Sequence, residues 1–244
     1  MDQRIKKINN IARGFSLIEL IIVVAIMLVV TSAVLFRQSK FSSDILITNM
    51  AYEVALSIKD ASVSGLSSRA SSTIMSTDEP GVVSRIGYGI HIEPNPDGGG
   101  SPNSFINFVD VSGVSINTVV DDDSNIFNYF YTSTNDAVDK TTEMTQGQHI
   151  GKYCARINSG TPWNCFPDNP NQELNIVFVR PNPEAHITMG THNSGDGNVY
   201  SEAKIIVESG LGDKCRTVSV SASGQISVDP LDPADPSGCS GGIE

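Results

Sequence analysis

Hydrophobic residues follow three different regimes along this chain. From Phe15 to Phe36 the only polar interruptions are Ser16, Glu19, Thr31 and Ser32, and Leu20 to Val30 is apolar without a break. At about 1.5 Å rise per residue such a stretch extends roughly 33 Å, the thickness of a bilayer core, so it predicts a membrane-spanning helix. Beyond Arg37 the pattern becomes amphipathic. Apolar or small residues recur at three- and four-residue steps at Phe41, Ile45, Ile47, Met50, Ala51, Val54, Ala55, Ile58, Ala61 and Leu66, with Lys40, Asp44, Glu53, Lys59 and Asp60 between them. No Gly or Pro occurs between Phe15 and Ser64. A single helix of about 50 residues, ending near Gly65 to Ala70, is therefore expected.

From Ser71 onward short β-prone runs alternate with clusters of Gly, Pro, Asn, Ser and Asp. Strands are predicted at Tyr88–Ile92, Phe105–Val111, Val114–Val120, Ile126–Tyr131, His149–Ile157, Leu174–Val179, Ala203–Glu208, Cys215–Ala222 and Gln225–Val228. Turn signals such as Ser112-Gly113, Pro181-Asn182-Pro183 and Ser223-Gly224 bound most of them. The pattern predicts a mainly antiparallel β head.

Charge adds a problem and a direction. A carboxylate in a membrane helix costs about 2.5–3.5 kcal/mol at the bilayer centre and less near the interface, so Glu19 calls for a partner. No Lys or Arg lies between Phe15 and Phe36. The partner must be created by processing or supplied by another chain. The formal net charge is −11, while residues 1–14 carry four basic residues and one acidic one. Without them 12 basic residues face 26 acidic ones, a net charge of −14. An acidic head of this kind disfavours broad nonspecific binding to nucleic acid, and the basic amino-terminal flank predicts a cytoplasmic amino terminus with the head exported.

Gly14-Phe15-Ser16-Leu17-Ile18-Glu19-Leu20, preceded by Arg4, Lys6, Lys7 and Arg13, resembles the class III signal of type IV pilins and type II secretion pseudopilins. The resemblance implies cleavage by a prepilin peptidase between Gly14 and Phe15, methylation of the new amino terminus at Phe15, and pairing of the Glu19 carboxylate with the terminal amine of a neighbouring subunit during assembly. A plain signal anchor would explain the apolar length but not Glu19 or the Gly-Phe junction. A cleaved Sec signal would have a shorter apolar region. The closing segment Cys215 to Val228 and the helical segment Ala51 to Ala61 more distantly resemble H-type pseudopilins and related minor pilins.

All four cysteines, Cys154, Cys165, Cys215 and Cys239, lie in the expected exported region, and none forms a C-x-x-C pair. Disulfides are expected. Of three possible connectivities the sequence-local one, Cys154–Cys165 with Cys215–Cys239, is favoured because each bond would enclose a turn-rich loop; a reducing envelope or a buried free-thiol role is the alternative. Trp163, between two of the cysteines, is expected to pack with Tyr153 and Phe166 against a disulfide, or else to stand exposed as a recognition residue.

Other candidate chemistry is sparse. Asp121-Asp122-Asp123 suggests calcium, but Ile126 and Thr132 stand where an EF-hand would need its glycine and glutamate, so a solvated acidic turn is the expectation. Asp229, Asp232 and Asp235 beside prolines read as a stiff, soluble tail. His91, His149, His186 and His192 show no metal-ligand spacing, and neither a nucleophile elbow nor a phosphate loop is present. No catalytic residue, cofactor or metal is expected. Lys204, Lys214 and Arg216 are the densest late basic residues and would be the candidates for DNA capture.

The expected architecture is α+β and pilin-like. It has a leader at 1–14, a transmembrane assembly helix at 15–37, an amphipathic continuation at 38–70 packed on a β-rich head, and the exported head at 71–244. The expected function is a structural, minor-pilin subunit of a type IV pilus or type II secretion pseudopilus, held in the inner membrane before assembly. Its expected partners are the prepilin peptidase, other pilin or pseudopilin subunits, the inner-membrane assembly platform and the lipid bilayer. The alternatives are a pilus-tip adhesin or DNA-uptake receptor and, more distantly, an anchored exported domain that does not assemble.

Overall fold

The computed structural model describes residues 16–67, 86–94, 102–110, 129–133, 136–169, 171–191, 194–210 and 214–230. One helix, α1 (Leu17–Ser67), runs for 51 residues, as the absence of Gly and Pro predicts. The chain divides into two compact units, Met1–Ser42 and Ser43–Glu244, and α1 contributes to both.

In the first unit the segment Leu17–Leu35 has a mean hydropathy of 2.8, and none of it is buried. It is long and apolar enough to cross a membrane. Its hydroxyls are satisfied within the helix: Thr31 Oγ1 donates to Met27 O at 2.7 Å and Ser32 Oγ donates to Leu28 O at 2.8 Å. Back-bonding of this kind lets a hydroxyl sit in an apolar surrounding without leaving a donor unpaired.

In the second unit α1 buries Ile47, Met50, Ala51, Val54, Ala55, Ile58 and Ala61. These positions lie on one face by the helical period. They join a single core with residues from two antiparallel sheets. The first sheet comprises β1 (Gly87–Ile92), β2 (Ser104–Asp110), β3 (Ala137–Glu143), β6 (Glu173–Phe178), β7 (Ala185–Thr191) and β8 (Ser194–Gly195), ordered β3-β2-β1-β6-β7-β8. The second comprises β4 (His149–Arg156), β5 (Asn164–Phe166), β9 (Glu202–Glu208), β10 (Cys215–Ser221) and β11 (Ile226–Pro230), ordered β11-β10-β9-β4-β5. The fold is α+β and pilin-like, an apolar amino-terminal helix with antiparallel sheets.

The central strands β1 and β6 are buried at every position. Strands covered in this way lose the polar alternation of half-exposed ones and read as plain apolar runs. Gly89 of β1 lets the backbone of β6 approach, because a Cβ there would lie 2.7 Å from Ile176 O.

Three of the strands that the sequence pattern misses pair in short or peripheral registers. β3 is an edge strand exposed at five of its seven positions, β5 has three residues and β8 two. The expected strand Ile126–Tyr131 is corrected where it is described. Tyr129 has φ of 53°, in the left-handed region, and Tyr129 to Tyr131 pair with no strand. Instead Tyr129 O accepts from Thr188 Oγ1 at 2.7 Å, and Tyr131 N donates to Asn175 Oδ1 at 3.2 Å. The expected strand Val114–Val120 and the Asp121–Asp123 run lie outside the described residues.

Candidate assembly site

Ser16 opens α1. The Glu19 amide donates to Ser16 Oγ at 3.2 Å and to Ser16 O at 3.1 Å. A serine cap with a glutamate three residues later is the spacing of a capping box, and the first turn is where the helix dipole favours a negative charge. The sequence pattern treats Ser16 merely as a polar interruption; its role as the cap is found in the structure. Glu19 is the sole ionisable residue between Leu17 and Leu35. Its carboxylate has no hydrogen-bond or ion-pair partner among the described residues. Gly14 and Phe15 lie outside the described residues.

The family model of the prokaryotic N-terminal methylation motif matches residues 9–35. The chain carries this prepilin-type motif at the head of its apolar helix. That combination is consistent with the type IV pilin family and supports a pilin-like or pseudopilin subunit, a structural kind of protein. The motif implies processing by a prepilin peptidase and assembly with other pilins, and the apolar helix is consistent with membrane anchoring. No curated protein and no solved structure gives a significant match to the chain.

In the head of this pilin-like chain, Cys154 and Cys165 are disulfide-bonded with their Cα atoms 4.1 Å apart. They face each other directly in the register of β4 and β5. Cys215 is disulfide-bonded as well, and Cys239 lies outside the described residues. Alternation along β4 sends Tyr153 into the core on the opposite face from Cys154. There its ring stacks on Phe166, centroids 4.9 Å apart and planes 9° apart. The Tyr153 hydroxyl donates to Gln172 O. Burial, with smaller contributions from Glu173 and Glu93, raises the Tyr153 phenol far above its ordinary range.

Trp163 does not join that stack. It is half-buried, with the Arg156 guanidinium 4.5 Å and the Lys204 ammonium 4.9 Å from its ring centroid. Arg156 Nε also donates to Glu202 Oε2 at 2.8 Å. The expected aromatic cluster is therefore split: two rings enter the core, and the indole serves two cations on the other side.

The three basic residues considered for DNA capture are not brought together. On β9, Ala203, Ile205 and Val207 enter the core, so Lys204 emerges on the opposite face. On β10, Val218 and Val220 enter the core, which puts Arg216, paired with Val207, on their face at the strand end. Arg216 Nη1 donates to Cys215 O at 3.0 Å, and Lys214 Nζ forms an ion pair with Asp44 at 3.0 Å.

The described histidines are likewise dispersed. His91 on β1 is buried, and its Nδ1 lies 2.8 Å from Asn175 Oδ1. Because Tyr131 N donates to that same oxygen, the amide orientation is set and His91 Nδ1 is the donor. His186 on β7 stacks on Tyr129 with centroids 4.0 Å apart, and burial lowers its pKa against an opposing pull from Glu184. His149 lies 3.7 Å from Glu208. Among the described residues no group of three His, Cys, Asp or Glu could hold a metal ion. His192, Asp232 and Asp235 lie outside them, and Asp229, next to last in β11, is an exposed acceptor for Ser227.

Proposed function

We propose that this chain is a minor structural subunit of a type IV pilus or a type II secretion pseudopilus. It is inserted in the inner membrane with its amino terminus cytoplasmic and its head exported. The peptidase cuts between Gly14 and Phe15, and the amine of Phe15 is methylated. Assembly then pairs the Glu19 carboxylate with the terminal amine of a neighbouring subunit. The observation that carries this reading is Glu19, a carboxylate without a partner among the described residues, in the first turn of a wholly exposed apolar segment and inside the matched methylation motif. Bringing the two charges together lowers the cost of holding each one in a low-dielectric surrounding.

Mass spectrometry of the mature chain is expected to read N-methyl-Phe15 as its first residue. Glu19→Ala should leave that processing intact while lowering incorporation into filaments by about tenfold, the equivalent of about 1.4 kcal/mol of lost pairing. Incorporation at the wild-type level would refute the pairing role, and an intact leader would count against assembly altogether.

A further inference from the structure

Beside the core-facing side of α1, Glu53, Ser57 and Asp60 face Asn107 of β2 and Asp139 of β3 across a groove of about 230 Å³. The helical members stand four and three residues apart and so share one edge of the helix. Asp139 is the extra residue of a β-bulge: Asn107 pairs with Lys140 and Phe108 with Val138, leaving Asp139 without a cross-strand partner. Bulges re-aim side chains in this way.

Asn107 is 7 % exposed, and its Nδ2 donates to Ser57 O at 3.4 Å. Its Oδ1 is buried with no hydrogen-bond partner. A bare buried acceptor in a native fold calls for a donor, here one supplied from outside the chain. The surrounding charge selects its sign. Glu53, Asp60 and Asp139 make no ion pair among the described residues, and neither does Lys140 at the rim.

The geometry also selects the shape of the cation. A calcium ion would need several oxygens converging at about 2.3–2.6 Å, and the described residues hold no such acidic cluster. A guanidinium spreads five N–H donors over a planar fork and can reach acceptors that do not converge on a point. The groove is continuous with an apolar surface. Leu56, which lines it, is 67 % exposed and shares a helix line with Ile45, Tyr52 and Val63, all exposed. At 100° per residue these four positions lie within about 40° of one another. A free guanidino compound would leave that stripe in water, whereas a protein surface would cover it, with the aliphatic stem of its arginine lying on Leu56.

We propose that this groove receives an arginine side chain from a neighbouring subunit of the filament, bonded to Asn107 Oδ1 and flanked by Glu53, Asp60 and Asp139. The inference rests on the assembly role proposed above and names the chemistry of the partner. The test uses the full chain in its own host, with a photoactivatable benzoylphenylalanine in place of Leu56. Illumination of filaments is expected to crosslink the chain to an adjacent subunit through a peptide that contains arginine. Asp139→Lys should lower the crosslink at least tenfold and Asn107→Leu about threefold, while Lys140→Glu, a charge change of opposite sign at the same rim, should preserve or raise it. Processing and trypsin resistance identify variants that fold. Changing the crosslinked arginine to glutamate should restore the yield in Asp139→Lys. Equal yields in Asp139→Lys and wild type, equal losses in Asp139→Lys and Lys140→Glu, or an arginine-free peptide would overturn the groove's role while leaving assembly intact. Absence of the wild-type chain from filaments would overturn the assembly role and this inference together.

Discussion

Replacing Cys154 and Cys165 together by alanine should loosen one edge of the head before it lowers the stability of the whole. The bond joins residues 11 apart in sequence, and closing a loop of that length removes about 2.8 kcal/mol of chain entropy from the unfolded state at 25 °C. For a unit of the size of Ser43–Glu244, each kcal/mol moves the midpoint by about 2–4 °C, so a drop of about 6–11 °C is expected. The local effect is larger. β5 sits at the sheet edge and is held to β4 through three residue pairs, of which the central one is the disulfide. Without it the strand frays, Phe166 leaves Tyr153, and the indole of Trp163 leaves Arg156 and Lys204. Because Trp163 is the single tryptophan, its fluorescence reports this edge alone. The full chain in detergent should show a red-shifted, solvent-exposed emission at temperatures below the main transition, followed by melting at the lowered midpoint. Unchanged emission with a midpoint shift under about 2 °C would refute the claim that the bond secures β5.

Three further outcomes follow from single contacts. Gly65→Ala places a Cβ 2.4 Å from Phe178 O, a backbone atom that cannot swing aside, so a loss of about 1–3 kcal/mol is expected in denaturant unfolding. Tyr153→Phe should cost about 0.5–1.5 kcal/mol at neutral pH through the bond to Gln172 O. In the wild type the raised phenol pKa contributes stability that is intact below the unfolded value near 10 and is lost as pH rises above it, by about 1.4 kcal/mol per pH unit; the variant should lack that increment when the two unfolding curves are compared between neutral pH and pH 11. A double-mutant cycle on Asp44 and Lys214, whose side chains are 39 % and 36 % exposed, should return a coupling of about 0.2–1 kcal/mol that fades with added salt.

Much of the architecture was legible in the residues because its causes are local. An unbroken apolar run, the absence of Gly and Pro, and a three- and four-residue period between Ile45 and Ala61 specify α1. Apolar content bounded by turn residues specifies β1, β2, β4, β6 and β9 to β11. The strands that were not legible have other causes. β3 is a polar edge strand, and β5 is three residues long. β7, Ala185–Thr191, sets His and Thr among its apolar residues. Tyr129 to Tyr131 failed in the opposite sense. Their aromatic, β-prone character is overridden by contacts to His186, Thr188 and Asn175, residues far away in the chain.

By itself the sequence determined the processing motif, the apolar anchor and the isolated carboxylate of Glu19, since each is a matter of residue type at fixed spacing along one helix. Tertiary structure decided everything that depends on which face of a strand a side chain takes. It sent Tyr153 and Phe166 inward and left Trp163 to Arg156 and Lys204. It put Lys204 and Arg216 on opposite sides of one sheet, and it placed the bulged Asp139 on the wall of the groove that Asn107 also lines. Strand pairing brings together residues as distant as Asn107 and Lys140 or Cys154 and Lys204, and a one-residue shift of register reverses every side chain, so no local pattern could have specified those neighbours.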